Sequence, residues 1–467
     1  MRKMTRRRFI GSGAAASLSC LVPGRARDGI GRGAALLRDR PSTPRPMAPR
    51  AQAPSDRLNI AGIGVGGMGA ANLRQLESEN IVALCDVDLD YAAGTIERYP
   101  AAEVFTDYRV MLEKRRDIDA VVIATPDHTH AVITTAAMQA GKHVYTQKPL
   151  THDVWEARRL TEAARASKVT TQMGIQGHSG EGIRLVVEWI RAGLIGEVRE
   201  VDAWCDLSYY PWGHAYWSSK WGERPPDTPP VPARLDWDPW IGPAPWRPYH
   251  PAYHPLVWRC WWDFGVGMMG DRGAHTLDAA VWALGLDAPE TVEATSLGLN
   301  AETHPLSAIV TYRFPARGGR PPVKLTWYEG TRAPRPEALE DGRKMPEEGG
   351  LVFKGAKGAI MCGVYADSPR IVPESLMREA ARPAETLPRV EGSHEMDWVR
   401  ACKAGTKAGA AFEYSGPLTE ICLLGNVAKR LDARIAWDAA NLRVTNNAEA
   451  EALVRKPYRE GWSLRAA

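Results

Sequence analysis

A lysine beside a proline, an aspartate four residues ahead of a histidine, and a glycine-rich turn followed by an aspartate are the groups whose types and spacing can do chemistry. The turn Gly64-Val65-Gly66-Gly67-Met68-Gly69 reads G-x-G-x-x-G, directly after an apolar run and at the start of a helical pattern. In that setting Gly64 permits a tight turn, Gly66 lets backbone approach a pyrophosphate, and Gly69 lets the helix pack closely on the sheet. Asp86, 20 residues after Gly66, would accept hydrogen bonds from adenosine ribose hydroxyls and repel a 2′-phosphate. Its neighbours Cys85 and Val87 offer no cation to neutralise one. NAD is therefore expected rather than NADP, held by Gly64, Gly66, Gly67, Met68, Gly69 and Asp86.

Lys148 lies in Thr146-Gln147-Lys148-Pro149, after another apolar run, and Pro149 keeps it extended. A lysine fixed beside an oxidised nicotinamide can donate to a substrate hydroxyl. In Gly270-Asp271-Arg272-Gly273-Ala274-His275, Asp271 and His275 are four apart, so on a helix they share one face. An acidic group at a helix start can orient and support an imidazole. Such a pair suits removal of a hydroxyl proton while hydride leaves the same carbon. A further turn, Thr125-Pro126-Asp127-His128-Thr129-His130, follows the apolar run ending at 124 and should run along the nicotinamide ribose, adding Thr125, Pro126, His130 and Lys148 to the cofactor's contacts. His128 and His130 have the spacing of a metal pair, but no third ligand is near and no metal is expected.

These motifs need strand ends to hold them. Apolar runs at 58–63, 81–85, 120–124, 143–145 and 169–171, separated by helical stretches at 68–77, 127–140 and 151–167, have the alternation of a doubly wound parallel sheet. The fold class is α/β, with a Rossmann dinucleotide-binding domain over 57–175. From 176 to 467 an α+β domain with a mostly antiparallel open sheet is expected, with a helix near 179–192, strands at 306–314, 323–328 and 350–362, and helices from Asp271, near 393–403 and near 417–431. Between Trp204 and Trp262 the chain places 10 of its 17 Trp and 12 of its 35 Pro. That density marks a long irregular excursion rather than regular structure.

With 44% hydrophobic and 24% charged residues the chain is neither disordered nor collagen-like. Its net charge of +4 is uneven: the first 56 residues hold 12 Lys+Arg against 3 Asp, which leaves −5 on the remaining 411. Nucleic-acid binding by the folded body is therefore not implied. Thr5-Arg6-Arg7-Arg8-Phe9-Ile10-Gly11 before a weakly apolar stretch resembles a twin-arginine export signal, and 1–56 reads as that signal plus a Pro/Arg-rich linker. The expected location is periplasmic. No apolar run is long enough to span a membrane, and the six cysteines beyond the leader form no C-x-x-C pair, so neither a zinc ribbon nor a disulfide framework is supported.

Together the segments Gly64 to Gly69, Ala124-Thr125-Pro126 with His130, Lys148-Pro149 and Asp271 to His275 resemble the Gfo/Idh/MocA family of oxidoreductases over about 57–467. The resemblance implies a catalytic trio: His275 as acid/base, Lys148 binding and polarising the reacting hydroxyl, Asp271 positioning substrate. Where that family has Glu-Lys-Pro, this chain has Gln147-Lys148-Pro149. A carbohydrate substrate follows, and sugars stack their C–H faces on aromatic rings, which points to Tyr210, Trp212 and His214 in the excursion and to His178 as contacts. The reading is an NAD-dependent oxidoreductase acting on a pyranose or glycoside, its cofactor retained and recycled, in a homo-oligomer. Two alternatives stay open: a redox-neutral glycosidase passing through a 3-keto intermediate, and a non-catalytic sugar-binding protein on the same scaffold.

Overall fold

Six short strands with buried β-branched and small residues build the first sheet: β1 (Asn59–Ile63), β2 (Asn80–Cys85), β3 (Glu103–Phe105), β4 (Ala120–Ile123), β5 (His143–Gln147) and β6 (Thr171–Gly174). All pair in parallel in the order β3-β2-β1-β4-β5-β6. Every residue of β4 is buried, as a strand covered on both faces requires. The computed structural model describes residues 56–207 and 222–464; the leader up to Ser55 lies outside them. Four of the six strands coincide with the apolar runs, and a fifth, β6, begins at the last residue of its run. The sixth, β3, is three residues long and two of them are exposed, so it carries no apolar signature.

The second sheet has nine strands: β7 (Val198–Cys205), β8 (Thr291–Leu297), β9 (Ser307–Phe314), β10 (Val323–Glu329), β11 (Gly349–Gly355), β12 (Ala359–Gly363), β13 (Arg370–Val372), β14 (Arg434–Asp438) and β15 (Arg443–Val444). Their order is β13-β12-β11-β7-β10-β9-β8-β14-β15, antiparallel except for β7 beside β10. In β9 the residues Ala308, Val310, Tyr312 and Phe314 are buried and those between them are not, the pattern of a sheet packed on one face. Helices Ala274–Leu284 and Phe412–Leu431 cover that face, and the second also packs against helix Val154–Ala166 of the first sheet.

Two boundaries differ from the sequence expectation. The run 350–362 is a hairpin, because Gly355 N–H donates to Gly358 O at 2.8 Å and folds β12 back on β11. The helix expected from 417 begins at Phe412 and takes Pro417 into its interior, where a proline forfeits one backbone hydrogen bond.

The described part of the aromatic excursion lies across the carboxyl ends of the first sheet. Leu89 N–H donates to Arg234 O and Asp236 N–H to Val87 O, while His254 Nε2 meets Asp88 Oδ2 at 2.6 Å. Trp237 stacks on Trp240 at 4.5 Å and Trp240 meets Phe264 edge-on at 4.9 Å. Most of its tryptophans hold the segment down: Trp237, Trp240, Trp258, Trp261 and Trp262 are buried, and Trp246 is exposed.

Candidate active site

The parallel order places β1 beside β4, the point at which the connections diverge to the two sides of the sheet and where such sheets bind ligands. A cavity of about 530 Å³ opens there. Gly64 follows β1 at φ +75°, and a Cβ on it would lie 2.7 Å from Thr125 N. A Cβ on Gly69 would lie 1.9 Å from Gly64 O, so only glycine lets the helix Gly67–Gln75 start this close to the strand. Asp86, just after β2, accepts from Val65 N at 2.8 Å and Gly66 N at 3.3 Å through Oδ2, and from Asp88 N at 3.0 Å through Oδ1. Burial pushes its carboxyl up to about 6, against these N–H groups, which favour the charged form. It is still ionised at neutral pH. Bare glycine backbone, a helix N-terminus and a carboxylate on one cavity wall fit a dinucleotide with unphosphorylated ribose. Gly64, Gly66, Gly67, Met68, Asp86, Thr125 and Pro126 all line it.

A partial roof lines the cavity from the other side. Pro239, Trp240, His254, Pro255, Leu256, Trp258 and Arg259 of the excursion, with Trp462 near the C-terminus, face the glycine loop and the strand ends. Nothing in the motifs announces this roof, since it is built from residues about 170 positions or more after the loop they cover.

His130 ties two motifs together. Its two ring nitrogens lie 2.8 Å from the carbonyl oxygens of Pro149 and Thr125, and because burial pushes it down to about 4 its single N–H donates to one of them. The turn after β4 is thereby fixed to the Lys148-Pro149 step. His128 faces the other way, with its ring against Trp240 O at 2.8 Å and Phe264 O at 3.2 Å, and anchors the roof. Among the described residues no group of three metal-ligating side chains converges.

Lys148, Asp271 and His275 meet at the far end of the same cavity. Lys148 Nζ donates to Asp271 Oδ1 and, at 3.0 Å, to the Asp271 carbonyl. Asp271 lies in a π-helical turn, Met269–Gly273, that runs into helix Ala274–Leu284, so the four-residue spacing crosses a junction of two windings rather than one regular helix. Burial pushes the Asp271 carboxyl up, but Lys148, Arg259 and Arg272 outweigh it and hold it at about 2. Burial and then the Lys148 charge push His275 well below the ordinary histidine range, so its imidazole is neutral at neutral pH. Asp271 Oδ2 and His275 Nδ1 are both buried without a hydrogen-bond partner among the described residues. Buried polar atoms left open in this way ask for a ligand.

Gln147, which stands where a glutamate was the pattern, donates to Asn72 Oδ1 at 3.0 Å, and Asn72 in turn donates to Glu395 Oε1 at 2.7 Å. The neutral amide is thus one link from a buried carboxylate. Further groups complete the site: Asp127, which accepts from Val266 N at 3.1 Å and is pushed up to about 7 by burial, Arg259, Arg272, Gln176 and Tyr365. The Tyr365 ring stands edge-on to His275 at 4.8 Å. Asp127 and Arg272 lie inside motifs already noted, Arg259 lies in the aromatic excursion, and Tyr365 arrives through tertiary structure alone.

One expected substrate contact is corrected. His178 does not line the cavity: its ring stacks on Trp282 at 4.3 Å and Nδ1 faces Asp278 Oδ1 at 3.0 Å, in the core. The 3₁₀ turn Gln176–Ser179 aims Gln176 at the cavity and, two positions on, His178 away from it. Tyr210, Trp212 and His214 lie outside the described residues.

Comparison with known proteins agrees with this architecture. A family model described as an oxidoreductase family with an NAD-binding Rossmann fold matches residues 58–175, and the model of that family's C-terminal alpha/beta domain matches 183–464. The chain is 28% identical over 115 residues to levoglucosan dehydrogenase of Pseudarthrobacter phenanthrenivorans, covering 25% of this chain and 29% of that protein. It is 31% identical over 137 residues to an alpha-N-acetylgalactosaminidase of Shewanella oneidensis, covering 27% and 30%. The matched segments thus span about a third of these relatives' lengths. A solved levoglucosan dehydrogenase in complex with NADH shares the fold, with a TM-score of 0.54 at 18% identity over 81% of this chain and 99% of that one.

Proposed function

The chain belongs to the Gfo/Idh/MocA oxidoreductase family, and from that premise we propose that it oxidises a ring hydroxyl of a pyranose or glycoside with NAD. The observation that carries this is the meeting of Lys148, Asp271 and His275, two of them with an open buried polar atom, in the cavity that begins at the glycine loop. NAD, when bound, supplies the acceptor for the hydride of the reacting carbon.

The chain's own groups handle the proton. His275, neutral because burial disfavours its charge, takes the proton from the reacting hydroxyl. The Lys148 ammonium donates to the same oxygen and stabilises the negative charge that develops as the proton leaves. Asp271 holds Lys148 in place through both its carboxylate and its carbonyl.

The roof also favours a second reading, the redox-neutral glycosidase. A cofactor held under it need not exchange if oxidation at C3 of a glycoside, loss of the C2 proton, elimination of the C1 substituent, addition of water and reduction all occur on one sugar. An exported protein would need such retention, and the leader supports export in the folded state. Protein supplied with NAD and incubated with single pyranosides, with products resolved by mass, tests both readings. A ketone lacking two hydrogens supports the oxidoreductase, the freed sugar supports the redox-neutral cycle, and unchanged pyranosides throughout contradict both.

A further inference from the structure

We propose that His254 is a cofactor contact supplied by the roof, its Nδ1 accepting a hydrogen bond from one hydroxyl of the adenosine ribose of NAD. The inference rests on NAD binding alone and stands apart from the choice of sugar.

Among the described residues three histidines line the cavity: His130, His254 and His275. His130 faces protein carbonyls with both ring nitrogens, and His275 is used by the reaction proposed above. His254 is 6% exposed, and its Nδ1 is buried with no hydrogen-bond partner among the described residues. Its other nitrogen is taken, since Nε2 meets Asp88 Oδ2 at 2.6 Å. Asp88 Oδ1 in turn accepts from the N–H groups of Asp90 and Tyr91, at 3.0 and 2.9 Å. A carboxylate only accepts, so Nε2 carries the ring's proton. Burial disfavours a second proton and leaves Nδ1 as a lone pair. A group that completes this nitrogen must donate to it.

The surroundings say which donor. Asp88 N–H donates to Asp86 Oδ1 at 3.0 Å, which joins the partner of His254 to the carboxylate after β2. The Tyr91 ring stands edge-on to His254 at 6.2 Å and lies over the glycine loop, where a Cβ on Gly66 would come within 2.3 Å of it. His254 thus sits at the adenosine end of the cavity. Asp86 cannot take both ribose hydroxyls there. About four lone-pair positions on its two oxygens already meet three protein donors, from Val65, Gly66 and Asp88. One position is left for two hydroxyls, and His254 Nδ1 is the open acceptor beside it. The roof is then held by Asp88 on one ring nitrogen and by the cofactor on the other.

Fluorescence titration of the full chain with NADH, followed by its displacement with NAD and three analogues, tests the inference without turnover. His254→Gln keeps an N–H for Asp88 and removes the acceptor, and should weaken NAD ~3- to 10-fold. For the wild type, either 2′-deoxy or 3′-deoxy NAD, each lacking one adenosine ribose hydroxyl, should lose a similar factor. With His254→Gln that analogue and NAD should bind alike. His254→Phe, which keeps the ring's volume without either nitrogen, should show the same collapse. The hypoxanthine analogue, which lacks the adenine amine, should keep one ratio to NAD in all three proteins. Unchanged NAD affinity in both variants, or deoxy penalties as large as those of the wild type, overturns the inference. So does a collapse of the hypoxanthine penalty instead, because the ring then reads the base.

Discussion

Two buried lysine–carboxylate pairs in this molecule look alike in composition and differ in completeness. Lys429, fully buried in helix Phe412–Leu431, donates to both oxygens of Glu329 at 2.8 Å, and Trp327 Nε1 donates to the same carboxylate at 3.0 Å. Every polar atom of that pair has a protein partner, and it joins the helix to the end of β10. Asp271 is buried and Lys148 part-buried, yet Asp271 Oδ2 has no partner among the described residues and neither does the adjacent His275 Nδ1. A closed pair has been spent on the fold, while an open one is left for a ligand to complete. Burial and charge alone would not separate the two.

The sharpest way to break this contrast is to remove each lysine. Lys429→Met strands Glu329 in the core and should cost about 3–5 kcal/mol of stability in denaturant titrations, with turnover per folded molecule unchanged. Lys148→Met and His275→Ala should do the reverse, each losing at least ~100-fold in turnover while the unfolding midpoint stays close to wild type, as does the affinity for NAD in His275→Ala. If Lys148→Met destabilised the protein as much as Lys429→Met, the distinction between closed and open pairs would fail.

A smaller effect concerns cofactor choice at the opposite end of the cavity. Asp86 is ionised at neutral pH and takes up its proton below about 6, because burial raises its carboxyl. The preference for NAD over NADP should therefore be full near pH 7 and shrink as the pH falls through 6, when the carboxylate stops repelling the 2′-phosphate. Asp86→Ser should narrow the preference by ~10-fold at neutral pH and leave it much less sensitive to pH. Paired titrations with the two cofactors measure both.

The motifs were legible because a parallel sheet gathers its strand ends, so residues far apart in sequence but placed just after β1, β2, β4 and β5 fall on one cavity. Gly64, Asp86, Thr125 and Lys148 needed only the correct strand assignments. Asp271 and His275 were legible by spacing, although a π turn that no periodicity reveals carries the first of them. His178 was misread because its direction depends on a 3₁₀ turn rather than on the strand before it. Tyr365 could not be read from local pattern, since it reaches the site across elements distant in sequence, whereas Arg259 and the roof belong to the aromatic excursion that composition marks. β3 escaped because Glu103-Val104-Phe105 is too short and too exposed to show a buried period.

In the proposed reaction the open pair and His275 move a proton while hydride leaves a sugar carbon for NAD. Rapid mixing of NAD-loaded protein with a panel of charged and neutral pyranosides, followed by the absorbance of reduced nicotinamide, tests it most directly. The account predicts a rise in that absorbance with at least one sugar for the wild type, slowed at least ~100-fold in His275→Ala. No rise with any sugar, or a near-normal rise in His275→Ala, would contradict it.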